Sequence, residues 1–344
     1  VDPCETAARF LVLSAANRLT CCDWTGSGGR WENQGQGGTT FGGEEFATPA
    51  AEVIERVEAL SGPTVAPVGD RCPLFVELCC GSAAVTLKLL GGRHARPPVS
   101  YMGAKTGYAP AILHALGLRQ GQGADAVLLN DPGPWSMVWR VLVDPAGCRR
   151  VAEIIRGWIG EDARALWERL RAEPVPADEG EAAARWLYVS GQSVQKGGDG
   201  TPSWFTRPTG DGQKDVASFG RECLSLSRLH FPPGTLVLGE DAAGIEPEPP
   251  LPEGTVVLLD PPYFGDGSRK ITGYAHEFPR ASVVEVALRW KAAGARVAVC
   301  ECVAVPELVA EGWHALDITG TRIGQKRTFS AAQSEWLTLS HPPE

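Results

Sequence analysis

Apolar residues along this chain gather into short runs separated by amphipathic stretches, a pattern of strands and helices taken in turn. Val256-Val257-Leu258-Leu259 is long enough for a strand buried on both faces, and it stops at Asp260-Pro261-Pro262. Comparable runs predict strands at Pro73–Leu78, Ala126–Asp131, Leu236–Leu238, Arg296–Cys300, Trp313–Ile318 and Glu335–Ser340. Helical spacing is expected over Ala84–Leu90, Tyr108–Leu116, Val151–Leu170, Ala182–Val189 and Arg280–Ala293. This alternation predicts an α/β protein with an open, largely parallel sheet. The rhythm is missing before residue 71, where helical stretches at Thr6–Leu19 and Pro49–Leu60 flank a glycine-rich segment, Gly26 to Gly43. It breaks again from Ser190 to Phe219, which is rich in glycine and proline.

Candidate chemistry stands at the strand ends, the edge of an open α/β sheet where ligands bind. Two prolines cannot continue a sheet, so the chain leaves Leu259 as a stiff turn that holds Asp260 at a site mouth. The Asp260 carboxylate and the Pro261 carbonyl are acceptors, and the Tyr263 ring is close to both. Such a set suits a planar base with an exocyclic amine. The acceptors hold its N–H groups, the ring stacks, and the nitrogen lone pair is aligned for attack on an electrophilic methyl group. Cys79-Cys80-Gly81-Ser82-Ala83 forms a small-residue turn between a strand and a helix. There Gly81 admits a close ligand and the helix start offers N–H groups. Glu77 can accept from a ligand's amino group, and Asp131, ending the next strand, suits ribose hydroxyls. Asp241 is a further acid after Leu236–Leu238. The plain alternatives are turns made only for packing.

Asp260-Pro261-Pro262-Tyr263 resembles the hallmark of the amino-methyltransferases, and the chain is similar to the DNA adenine methylase family over roughly residues 73–340. Glu77 to Ala83 resembles that family's cofactor motif, with Cys79 in place of Phe and Ala83 in place of its second Gly. Tyr101, Gly103 and Lys105 resemble the segment whose aromatic and lysine line the S-adenosylmethionine pocket, although here it follows the first strand. Leu129-Asn130-Asp131 and Asp241 match the family at the ribose and at the adenine amino group, and Ala183 to Tyr188 resembles the approach to its target-recognition loops. The resemblance implies a Rossmann-like class I methyltransferase sheet with an inserted helical and loop lobe. The expected parts are an extension at 1–70, the cofactor-binding core at 71–145, the inserted lobe at 146–232 and the catalytic core at 233–344. The implied reaction transfers methyl from S-adenosylmethionine to adenine N6 of a flipped-out base in DNA, duplex more readily than single strand. N4-cytosine or RNA methylation, or a binding relative without turnover, are the alternatives.

Charge qualifies this picture. A net charge of −9 argues against a broad basic field, so phosphate contacts are expected in local clusters. The candidates are Arg207 and Lys214 beside Trp204 and Phe205, then Arg269, Lys270 and Tyr274, then Arg322, Lys326 and Arg327, which no acid interrupts. None of the ten cysteines has Cys-x-x-Cys spacing, so they are expected as reduced, small apolar residues rather than metal ligands. With no apolar run of about 20 residues and no leader-like start, a cytoplasmic protein of bacterial or phage type, without membrane or metal, is expected. Loss of Asp260, at a strand exit, is expected to change stability modestly.

Overall fold

The computed structural model describes residues 71–92, 95–99, 103–193, 223–229, 231–264, 278–323 and 334–343. Its strands are β1 (Cys72–Leu78), β2 (Ala124–Asn130), β3 (Leu236–Leu238), β4 (Val256–Leu259), β5 (Arg296–Glu301), β6 (His314–Asp317) and β7 (Trp336–Leu339). They form one seven-stranded sheet in the order β3-β2-β1-β4-β5-β7-β6. The pairings through β1 to β5 are parallel, and β7 runs antiparallel between β5 and β6.

The helices are α1 (Ala84–Gly91), α2 (Ala109–Ala115), α3 (Trp135–Leu142), α4 (Pro145–Gly157), α5 (Ala163–Ala172), α6 (Glu179–Gly191), α7 (Arg280–Ala292) and α8 (Pro306–Ala310). Strand side chains alternate between two apolar layers. Phe75, Val127, Leu129, Val256 and Leu258 pack with residues of α1 to α6, including Leu87, Trp139, Val151, Leu166 and Tyr188. Val76, Leu78, Val257, Leu259 and Val299 pack instead with Val286 and Trp290 of α7 and Leu308 of α8. Helices cover both faces, so the strands read as unbroken apolar runs, each large side chain contributing about 1.5–3 kcal/mol on burial. The winding reverses between β1 and β4. Their carboxyl ends, Leu78 beside Leu259, therefore flank the crevice where ligands of such sheets bind.

The periodicity of Val151–Leu170 predicts a single helix, but two are found. Helix α4 stops at Gly157, the link includes Gly160 at φ 98°, and Asp162 starts α5 by accepting from Ala165 N at 2.8 Å. Two glycines and an N-capping acid outweigh the continuous apolar stripe here. Helices α4 to α6, expected in an inserted lobe, share the apolar core of β1 and β2. Pro174 and Glu173 carbonyls accept from the Arg185 guanidinium, and Tyr188 OH donates to Ala163 O, which ties α5 to α6. The extension at 1–70 and the aromatic and cationic loop around Trp204 lie outside the described residues. Among the described residues no helix is long and apolar enough to cross a membrane.

Candidate active site

The turn from β1 into α1 is built in a left-handed conformation: Cys79, Gly81 and Ala83 have φ of 56°, 46° and 48°. For a residue other than glycine this costs roughly 1–2 kcal/mol, and the surroundings hold it. Cys80 N donates to Asn130 O, Trp139 Nε1 to Gly81 O, and Gly81 N to Asp131 Oδ2 at 2.9 Å. The other Asp131 oxygen accepts from Gly133 N at 2.8 Å. Asp131 thus joins the two strand exits that a nucleotide would straddle. Ser82 is buried in this turn, and its hydroxyl makes no hydrogen bond among the described residues. Glu77 lies beneath the turn at 2% exposure, its Oε2 accepting from the backbone and hydroxyl of Thr86. Burial, resisted by the Thr86 bonds and reinforced by Asp260, pushes its carboxyl up to about 7. Asn130 clasps Glu240 through both backbone groups, while exposed Asp241 accepts from Ala243 N at 2.9 Å. Burial also drives the Cys79 and Cys80 thiols well up, which makes them poor nucleophiles.

At the exit of β4, Asp260 N donates to Leu78 O at 3.1 Å, so the proline turn leaves directly beside the small-residue turn. The Asp260 carboxylate meets Lys105, with Nζ to Oδ1 at 2.7 Å and side chains only 14% and 5% exposed. Gly103, at φ 81°, bends the chain so that its carbonyl accepts from the same ammonium at 2.9 Å. Burial raises the Asp260 carboxyl above its usual range, against the opposing pull of Lys105. Lys105 also stands 4.8 Å from the Tyr263 ring centre. The sequence predicts a lysine lining the cofactor pocket, and the structure places it against the proline motif, beside the β1 turn. The pairing also corrects the stability expectation. Removing Asp260 takes its nearest carboxylate from a buried ammonium that keeps the Gly103 carbonyl and Glu335 at 3.9 Å, a loss of up to about 3–5 kcal/mol.

Two acids that sequence reasoning did not single out complete this edge. Glu301, at the end of β5, accepts from Phe264 N and Cys302 N, both at 2.7 Å, and so pins the chain just past Tyr263. Glu335, immediately before β7, accepts from the Tyr263 hydroxyl and lies 3.9 Å from Lys105 Nζ. The available signal was an acid bounding an apolar run, the property that marked Glu77, Asp131 and Asp260. Because β7 is reversed, its first residue reaches the same edge as the other strands' last ones. Burial holds the Tyr263 hydroxyl protonated well beyond its usual range, helped by the charges of Asp260 and Glu335.

Pro261 and Pro262 lie between these groups, and exposed Arg322 stands with its guanidinium 6.0 Å from the Tyr108 ring. Tyr101, Arg207, Lys214, Arg269, Lys270, Tyr274, Lys326 and Arg327 lie outside the described residues. No protein-family model matches the chain, and no curated protein matches it.

Proposed function

We propose that this chain is an S-adenosylmethionine-dependent methyltransferase acting on the exocyclic N6 amine of adenine in DNA. One observation carries the reading: Asp260 and Tyr263 leave β4 directly beside the left-handed turn of β1, at the reversal of the sheet. A base clamp and a nucleotide turn thus share one crevice. The sheet order, with β7 reversed between β5 and β6, fits the class I methyltransferase sheet that the resemblance implies.

The turn suits the cofactor. Asp131 would hold ribose hydroxyls, and the buried Ser82 hydroxyl would gain a partner beside the left-handed backbone of Gly81. When bound, the cofactor supplies an electrophilic methyl group. The chain's own residues do the rest. Asp260 and the Pro261 carbonyl accept the amine N–H groups, Tyr263 stacks the flipped base, and Lys105 holds the Asp260 carboxylate in place. The neutral amine would attack with both N–H bonds intact, its N–C bond forming as the methyl–sulfur bond breaks, and the surplus proton would pass to solvent afterwards, so the site works by alignment and electrostatics.

The test is transfer of labelled methyl to duplex DNA, single-stranded DNA and RNA, followed by nucleoside analysis. N6-methyladenine in DNA is expected. Asp260→Asn, chosen because it keeps the side chain's shape, and Tyr263→Ala should each lower the rate by about a hundredfold or more, with cofactor affinity unchanged. Methylated cytosine or RNA would redirect the substrate assignment. A rate near wild type in Asp260→Asn would reduce the proline motif to a turn.

A further inference from the structure

Glu335 is buried, and it meets two of the groups that matter. Its Oε1 accepts the Tyr263 hydroxyl and lies 3.9 Å from Lys105 Nζ, which in turn is 2.7 Å from Asp260 and 4.8 Å from the Tyr263 ring centre. One carboxylate thereby fixes both the plane of the stacking ring and the second side of the cation that steadies the amine acceptor. Its own backbone is held where β6 and β7 meet: Ile318 N donates to Glu335 O at 2.9 Å, and Glu335 N donates to Thr319 Oγ1 at 2.8 Å.

We infer that Glu335 is a positioning residue for methyl transfer, setting the Tyr263 ring and the Lys105–Asp260 pair in their working arrangement before a base arrives. The inference rests on the reading of the site as a methyltransferase. It gives the Tyr263 hydroxyl a role besides that of the ring face, so Tyr263→Phe should lose part of the rate that stacking alone would preserve.

The experiment uses the full chain, saturating S-adenosylmethionine and duplex DNA. Glu335→Ala should lower kcat by about tenfold or more, while calorimetry finds cofactor affinity within about twofold of wild type. Glu335→Gln should recover part of the rate, because its amide oxygen still accepts the hydroxyl while the charge beside Lys105 is lost. In a Tyr263→Phe background, Glu335→Ala should cost a smaller factor than it does alone. Equal factors in both backgrounds, or a wild-type kcat in Glu335→Ala, would overturn the inference. If Glu335→Ala does not fold, Glu335→Asp keeps the charge but withdraws it from the hydroxyl, and a wild-type rate there overturns it equally. If the wild-type chain methylates no nucleic acid, the functional reading and this inference fall together. Transfer by the wild type with Glu335 variants unaltered removes the inference alone.

Discussion

Glu77 is the residue whose environment makes the plainest claim about pH. Its folded pKa of about 7 lies above the ordinary 4.5, so the fold favours the protonated form. The stability this carboxyl contributes is complete below pH 4.5 and is lost as pH rises towards 7, on the order of 3 kcal/mol. Gln at this position cannot ionise. The stability difference between Glu77→Gln and wild type should therefore shift in favour of the variant across that window, and urea unfolding at pH 4.5, 6 and 8 measures it. A difference constant with pH would mean that Glu77 ionises as easily folded as unfolded. In the turn above it, which Asn130, Trp139 and Asp131 fasten, Cys79 and Ala83 both hold left-handed backbone.

Among the elements, strands were the legible part. Val256–Leu259 is found with the predicted bounds, and Pro73–Leu78 differs from β1 by one residue, because a strand covered on both faces can hardly hide its apolar run. Helix limits inside 146–190 were less legible, since periodicity survives a glycine break that the backbone does not. The partnership of Lys105 with Asp260 and Glu335 could not be read at all. It depends on which segments of a folded sheet edge converge, and a lysine after a loop carries no mark of its burial. That convergence has a mechanical seat at Gly107, in the short 3-10 turn that begins at Lys105. Ile323 N donates to Gly107 O at 2.9 Å, and a Cβ on Gly107 would come within 2.8 Å of Arg322 Cγ and 2.9 Å of Ile323 O. The backbone oxygen cannot swing aside, so Gly107→Ala should destabilise the fold by about 1–3 kcal/mol. It should also lower methyl transfer, since Lys105 is displaced with the turn. Thermal melts and the transfer assay check both; wild-type values in each would show that the 322–323 segment yields freely.

For the molecule as a whole, a charge of −9 means that any grip on phosphate is local. If Arg322, Lys326 and Arg327 supply it, replacing all three with Gln should weaken DNA binding and flatten its salt dependence by up to about three contacts' worth. Cofactor affinity should not move. Binding titrations from low to moderate salt give the slope, and an unaltered one would return the β6–β7 connection to the solvated loops. The sheet order also has a bearing on synthesis. Among the described residues strand β6 pairs with β7 alone, and β7 lies inside β6 although it follows it in the chain. A chain growing from its amino end can assemble β1 to β5, and with them the Lys105–Asp260 pair, while β6 still has no strand to join. Only when β7 slots between β5 and β6 does Glu335 reach Tyr263. In chain order the cation and its first carboxylate thus come before the second carboxylate, which belongs to the strand that locks the edge.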